Sequence, residues 1–335
     1  MLDYLVNPSA AITKRINLLN DVNAYSESLE IKLCEMKTLR KYFSIVDNMT
    51  YENALFHGYN SLENYVKVFS EYGVNRTNVS YAKCLDLLLS KKEGDDLYKR
   101  GITKTAEIFE DKGYSASKTI RASLLLCSGY KNEKEVNEKI GHSVECFKAV
   151  NGYENINDFA YQKNDKWVFR DGKLFPDYYN LRILALSDEW KNEETLISIT
   201  KSINNLAKLQ PIPSIYVKVK GQLVAPGSYL MHDFNSYFSE IDDNAKAEWL
   251  NRNEYFARMG LFNKDNCLVK VKKSINDPIE LIKNMLSVKN NAAFTKWGAY
   301  SGVALEDNWT KDERKINDLA FRIGLIKYYS NEYFA

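Results

Sequence analysis

The sequence predicts an all-α fold of helical hairpins with minor β-hairpin insertions, on three observations. Apolar residues recur at three- and four-residue steps in one segment after another, which puts them on one stripe of a helix. Only 6 prolines and 15 glycines interrupt the 335 residues, and both residue types disfavour helix interiors. One stretch departs from the pattern: "LQPIPSIYVKVKGQLVAPGSYLMHDF", residues 209–234, holds three of the prolines and one of the three histidines.

Taken in order, Leu29, Leu33, Met36, Leu39, Phe43 and Val46 predict one long helix. Leu62, Tyr65, Val66, Phe69 and Tyr72 predict a second, stopped by Gly73, a natural helix-ending residue. Cys84, Leu85, Leu88 and Leu89 give a short third. Ile102, Ala106 and Phe109 lead to Gly113, after which Ser115 or Ser117 caps a helix through Leu126. Val136, Ile140, Val144 and Phe147 mark another. Residues 151–177 are the first irregular insertion, a hairpin or loop carrying Trp167 and Phe169 and closed by "RDGK". Helices resume at Tyr178–Leu186 and along Leu196, Ile199, Ile203, Leu206 and Leu209, where Pro211 ends the run.

The second insertion, 211–234, alternates Ile215, Val217, Val219 against Ser214, Lys218, Lys220, as a short strand does, and turns near Gly221. Residues 241–260 then predict a helix with acids in its first turn, favoured there by the helix dipole. Ile316, Leu319, Ile323 and Ile326 close the chain, with Asp318 and Arg322 as an i,i+4 pair. The total is roughly twelve helices, or six antiparallel pairs. No Pro/Ser-rich linker divides them, so the expectation is a single domain over residues 1–335. A loose echo, "VFSEYGVNRTN" and "IFEDKGYSASK", places two glycines forty residues apart, the spacing of a two-helix repeat.

Charge and cysteine content exclude several classes. Lys and Arg number 46 against 44 Asp and Glu, whereas nucleic-acid binders carry a basic excess or stripe that neutralises phosphate. The nearest linear approach, "KDNCLVKVKK", contains an acid of its own, and the expectation is no nucleic-acid partner. Five widely spaced cysteines without a CxxC pair fit neither a zinc ribbon nor a disulfide framework. The N-terminus lacks a basic start followed by an apolar core, and no run approaches eighteen apolar residues. Together these features predict a cytoplasmic protein of bacterial type without a membrane span.

Six hairpins could form an open solenoid or a closed ring. The stretch "FPDYYNLRILALSDEWKNEETLISITKSINNLAKL" (175–209) reads as an aromatic-rich helix, a polar turn and a long second helix, and "FHGYNSLENYVKVFSEYGV" with "SYAKCLDLLL" is similar. This organisation resembles the α/α toroid of terpenoid cyclases and protein prenyltransferase β-subunits, including uncharacterised bacterial prenyltransferase-like proteins, over most of residues 55–330. The resemblance implies a central aromatic-lined cavity for an isoprenoid-like molecule and a cyclase- or transferase-like activity. The motifs of the family depart here. Gln-x-x-x-Gly-x-Trp and Asp-Asp-x-x-Asp are absent, no matched zinc set is visible, and Asp-x-Asp-Asp has only the near misses Glu93–Asp96 and Glu240–Asp243.

The catalytic candidates are therefore His232, Asp233 and Asp242. Histidine titrates near neutrality, while an acid such as Asp242 needs burial to stay protonated. His57, Tyr178, Tyr229 and Trp297 are the substrate-binding candidates, with Tyr229 and His232 on an insertion that would cap one mouth of the ring. No metal ligands are assigned, and the cofactor is unknown. Two function classes stay open: a protein that binds or converts an apolar small molecule, and a non-catalytic helical scaffold for a protein partner.

Overall fold

The computed structural model describes the chain except residues 1–3, 23–25, 56, 58–59, 91–102, 227–233, 264–266, 288–301, 308 and 331–335. It is mostly helical. In chain order the helices are α1 (Ala10–Leu19), α2 (Glu27–Glu35), α3 (Lys37–Asp47), α4 (Leu62–Tyr72), α5 (Val79–Ser90), α6 (Thr103–Asp111) and α7 (Ser117–Cys127). There follow α8 (Lys134–Ala149), α9 (Tyr178–Ala185), α10 (Glu193–Lys208), α11 (Lys246–Arg258), α12 (Val269–Ile275), α13 (Pro278–Leu286) and α14 (Asp312–Tyr329). Among the described residues four short strands, β1 (Ala160–Lys163), β2 (Lys166–Phe169), β3 (Ile215–Val219) and β4 (Gln222–Val224), make one sheet.

The chain divides into two compact units: residues 1–97, 238–251 and 273–335, and residues 98–237 and 252–272. In the first unit, Leu39 and Val46 of α3, Leu62, Val66 and Phe69 of α4, and Leu319, Ile323 and Ile326 of α14 are all buried. These are the positions at which the apolar stripes of the sequence place a core. In the second unit α8 packs against α7, α9 and α10. Its other core lies under the sheet, where Phe159 stacks on Phe175 with ring centroids 4.7 Å apart and Tyr114 meets Phe169 at 4.8 Å.

The two irregular insertions join. β1 and β2 pair antiparallel through a turn at Asn164 and Asp165, with φ of 47° and 59°. β3 and β4 do the same through Lys220 and Gly221, at 46° and 88°. Positive φ at both central residues is the hairpin turn whose twist matches that of the strands. β2 then pairs parallel with β3, Trp167 opposite Ile215 and Val168 opposite Tyr216. The described part of the 211–234 insertion is thus sheet, with Ile215, Val217 and Val219 buried. "RDGK" follows β2 and does not close its hairpin.

Other expectations change as well. The helix expected over 29–46 is two helices, broken at Met36, whose ψ is 132°. Periodicity survives the break because Leu33, Met36 and Leu39 are buried on both sides of it. The carboxylate of Asp307 accepts from the backbone N–H of Lys37 and Thr38 at 2.7 and 2.9 Å, capping the new helix from a distant part of the chain. Neither Ser115 nor Ser117 caps α7. Glu110 does, accepting from the N–H of Ala116 and Thr119, both at 3.0 Å. The segment 241–260 begins with a 3-10 turn at Asp243–Ala245, and its α-helix starts only at Lys246.

The forty-residue echo is a helix-ending rule. Val74 N–H donates to the Phe69 carbonyl at 2.9 Å and Tyr114 N–H to the Phe109 carbonyl at 2.8 Å, across Gly73 and Gly113 in the left-handed region. The same bond recurs from Tyr130 to Leu125 across Gly129. Three such ends, unevenly spaced, are Schellman-type caps and do not define a repeat.

Candidate functional site

Four of the seven site candidates, Tyr229, His232, Asp233 and Trp297, lie outside the described residues. Tyr178 is fully buried on α9, its ring 6.0 Å from Tyr179, 5.8 Å from Tyr255 and 4.8 Å below the guanidinium of Arg182. Among the described residues it packs as a core side chain. Asp242 is exposed ahead of a 3-10 turn and makes no capping bond with its side chain. A carboxyl in solvent lacks the desolvation that acid catalysis of alkenes requires. Its neighbour Asp243 pairs with Lys246 at 2.6 Å.

His57 is half-exposed, and its Nδ1 lies 2.5 Å from the Oε2 of the fully buried Glu63. The pair ties the loop ahead of α4 to the first turn of that helix. An imidazole held by a carboxylate is oriented as a general base would be. The same bond gives Glu63, a carboxylate removed from water, the partner it needs.

A second histidine sits in a polar network of the second unit. The Nε2 of His142 lies 3.0 Å from the Gly113 carbonyl and 3.4 Å from the Sγ of Cys146. A carbonyl only accepts, so Nε2 carries its proton there and cannot deprotonate the thiol. Burial pushes the Cys146 thiol well above its usual range and lowers the imidazole. Nearby, Asp177 caps α9, accepting from Tyr179 N–H at 2.9 Å and Asn180 N–H at 3.1 Å. Burial raises its carboxyl to about 6. The cluster caps and links helices; it does not assemble a nucleophile.

The first unit carries a cleft of about 570 Å³, within the range of ligand sites. Pro8, Ala10, Leu29 and Met36 supply apolar wall, and Lys32, Glu35, Glu306, Asp307, Lys311 and Arg314 supply charge. Two of its acids serve the fold. Glu306 accepts from Ser9 N–H at 2.9 Å and from Arg314 at 2.8 Å, while Asp307 caps α3. The side chains of Lys32, Glu35 and Lys311 are exposed and have no hydrogen bond or ion pair among the described residues. Sequence reasoning missed this cleft because its residues come from three widely separated stretches without a motif.

No protein-family model, curated protein or solved structure matches this chain. Function is therefore read from its own side chains. Among the described residues no group of three or more His, Cys, Asp or Glu could hold a metal ion, and no helix is long and apolar enough to cross a membrane.

Proposed function

We propose that the chain is a helical binding protein whose cleft between α1, α2 and the start of α14 receives a peptide segment of a partner protein. The cleft itself carries this reading. An apolar floor with charged groups on its rim is the composition of a protein interface. Glu306 and Asp307 are committed to the fold, which leaves Lys32, Glu35 and Lys311 to contact a guest.

The narrower reading, a closed α/α ring around an isoprenoid-like molecule with cyclase- or transferase-like activity, calls for aromatic rings facing an empty centre. The solid packing of Tyr178 lends it no support. A reducing, cytoplasmic setting fits the five free cysteines.

A photo-crosslinking residue in place of Lys32 tests the proposal in the native host. One protein should cross-link through one contiguous peptide, and Lys311→Glu should reduce the yield several-fold. Failure to cross-link, together with an apolar molecule co-purifying in native mass spectrometry, would overturn the peptide reading in favour of the ring.

A further inference from the structure

The outer face of the sheet collects chemistry that neither hairpin shows alone. Residues paired across strands share a face. Tyr161 opposite Val168, and Val168 opposite Tyr216, therefore put both tyrosines on one side. By the two-residue period of a strand, Lys163, Lys166 and Lys218 stand on that side too. On this face the three lysines are exposed, both tyrosines are half-buried and Val168 between them is fully buried, whereas Ile215, Val217 and Phe169 of the opposite face are buried. The four strands contain no acidic residue. Of the acids adjoining β2, Asp165 lies in the turn and Asp171 is held by Lys112.

Two features point to an anionic guest with flat rings. Lys163 and Lys166 are directly opposite each other, and like charges so placed destabilise a sheet; an anion would relieve that repulsion. Cations already lie against both rings: the Nζ of Lys166 is 4.7 Å from the centre of Tyr216, and the guanidinium of Arg170 is 5.8 Å from that of Tyr161. The tyrosines sit roughly 10 Å apart, two strand spacings.

We propose that this face binds single-stranded nucleic acid, with Tyr161 and Tyr216 as stacking platforms for bases and Lys163, Lys166, Lys218 and Arg170 as phosphate contacts. Aromatic platforms set among cations on a four-stranded sheet suit unpaired bases, because every base offers a π-face and every link a phosphate. On binding, Lys166 exchanges its contact with the Tyr216 ring for a phosphate. The balanced charge of the whole chain does not oppose this, since phosphate contacts depend on local cations.

The test is fluorescence anisotropy of the full chain with a labelled 12-nucleotide single strand, a duplex of the same sequence, and heparin, at 50 and 200 mM salt. The single strand should bind at micromolar protein, more tightly than the duplex, and weaken at the higher salt. Tyr161→Leu and Tyr216→Leu, checked for folding by circular dichroism, should each weaken the single strand about tenfold and leave heparin unchanged. Lys166→Glu with Lys218→Glu should weaken both. If the tyrosine variants bind like wild type, or heparin competes as well as the strand does, the face is only a general polyanion surface and the proposal fails. Absence of binding at 50 mM salt would also overturn it.

Discussion

The indole Nε1 of Trp309 donates to the carboxylate of Asp318 at 2.6 Å, inside the first unit. Asp318 also accepts from the N–H groups of Leu305 and Glu306 at 2.7 and 3.1 Å, so one buried acid organises the segment that feeds the cleft. Sequence spacing makes Asp318 half of an i,i+4 pair with Arg322. Its i+4 neighbour Arg322 acts on it electrostatically and also donates to the Val303 carbonyl and, at 3.3 Å, to Glu71.

Burial raises the carboxyl of Asp318 to about 6 from its ordinary 3.8. The folded state therefore holds a proton that the unfolded chain has released between those two values. The contribution of this group to stability is greatest below about 4, falls as pH rises towards 6, and is constant above. Wild type should gain on the order of 3 kcal/mol relative to Asp318→Asn between pH 7 and pH 4, at about 1.4 kcal/mol per tenfold change in proton affinity. Urea midpoints of the two proteins across that range would check it. Parallel profiles would refute the buried acid.

Glu110 caps α7 and pairs with Lys139, so its loss removes a cap and strands a mostly buried cation. Glu110→Ala should cost about 2–4 kcal/mol in urea unfolding. Glu110→Gln keeps an acceptor for the cap and should cost less.

Tyr178→Ala should destabilise by about 3–5 kcal/mol, the cost of emptying a packed aromatic site. If the ring faced a ligand cavity, the same change would alter ligand response with little loss of thermal stability. Differential scanning fluorimetry distinguishes the two.

The thiols should react in a fixed order. Cys34 and Cys127 are partly exposed, while Cys84, Cys146 and Cys267 are buried. Burial pushes the thiol of Cys84 up to about 12 and that of Cys267 to about 11. Maleimide labelling of the native protein, read by peptide mass spectrometry, should modify Cys34 and Cys127 first and the other three only after denaturant is added.

Much of the helical fold was legible because it is local. The stripe from Leu62 to Tyr72 and its stop at Gly73 need only the helical period and one left-handed residue. The site was far less legible. Glu306, Lys32 and Pro8 meet in the cleft from separate parts of the chain, and no spacing rule connects them. The setting of Tyr178, packed against Tyr179 and Tyr255, is no more legible, because an aromatic stripe looks the same whether it faces a cavity or a core.

By itself the sequence determined many of the helical segments, where Gly73 and Gly113 end two of them, and that a hairpin turns near Gly221. Those features depend on the φ,ψ preferences and apolar period of a few neighbouring residues. Only the tertiary structure decided that Met36 breaks a continuous stripe, because Asp307 supplies the cap from far along the chain. It likewise decided that β2 lies beside β3, which brings Tyr161 and Tyr216 onto one face with Lys163, Lys166 and Lys218. Backbone hydrogen bonds between strands are the same for any side chains, so which distant strands pair follows from how their apolar faces share a core.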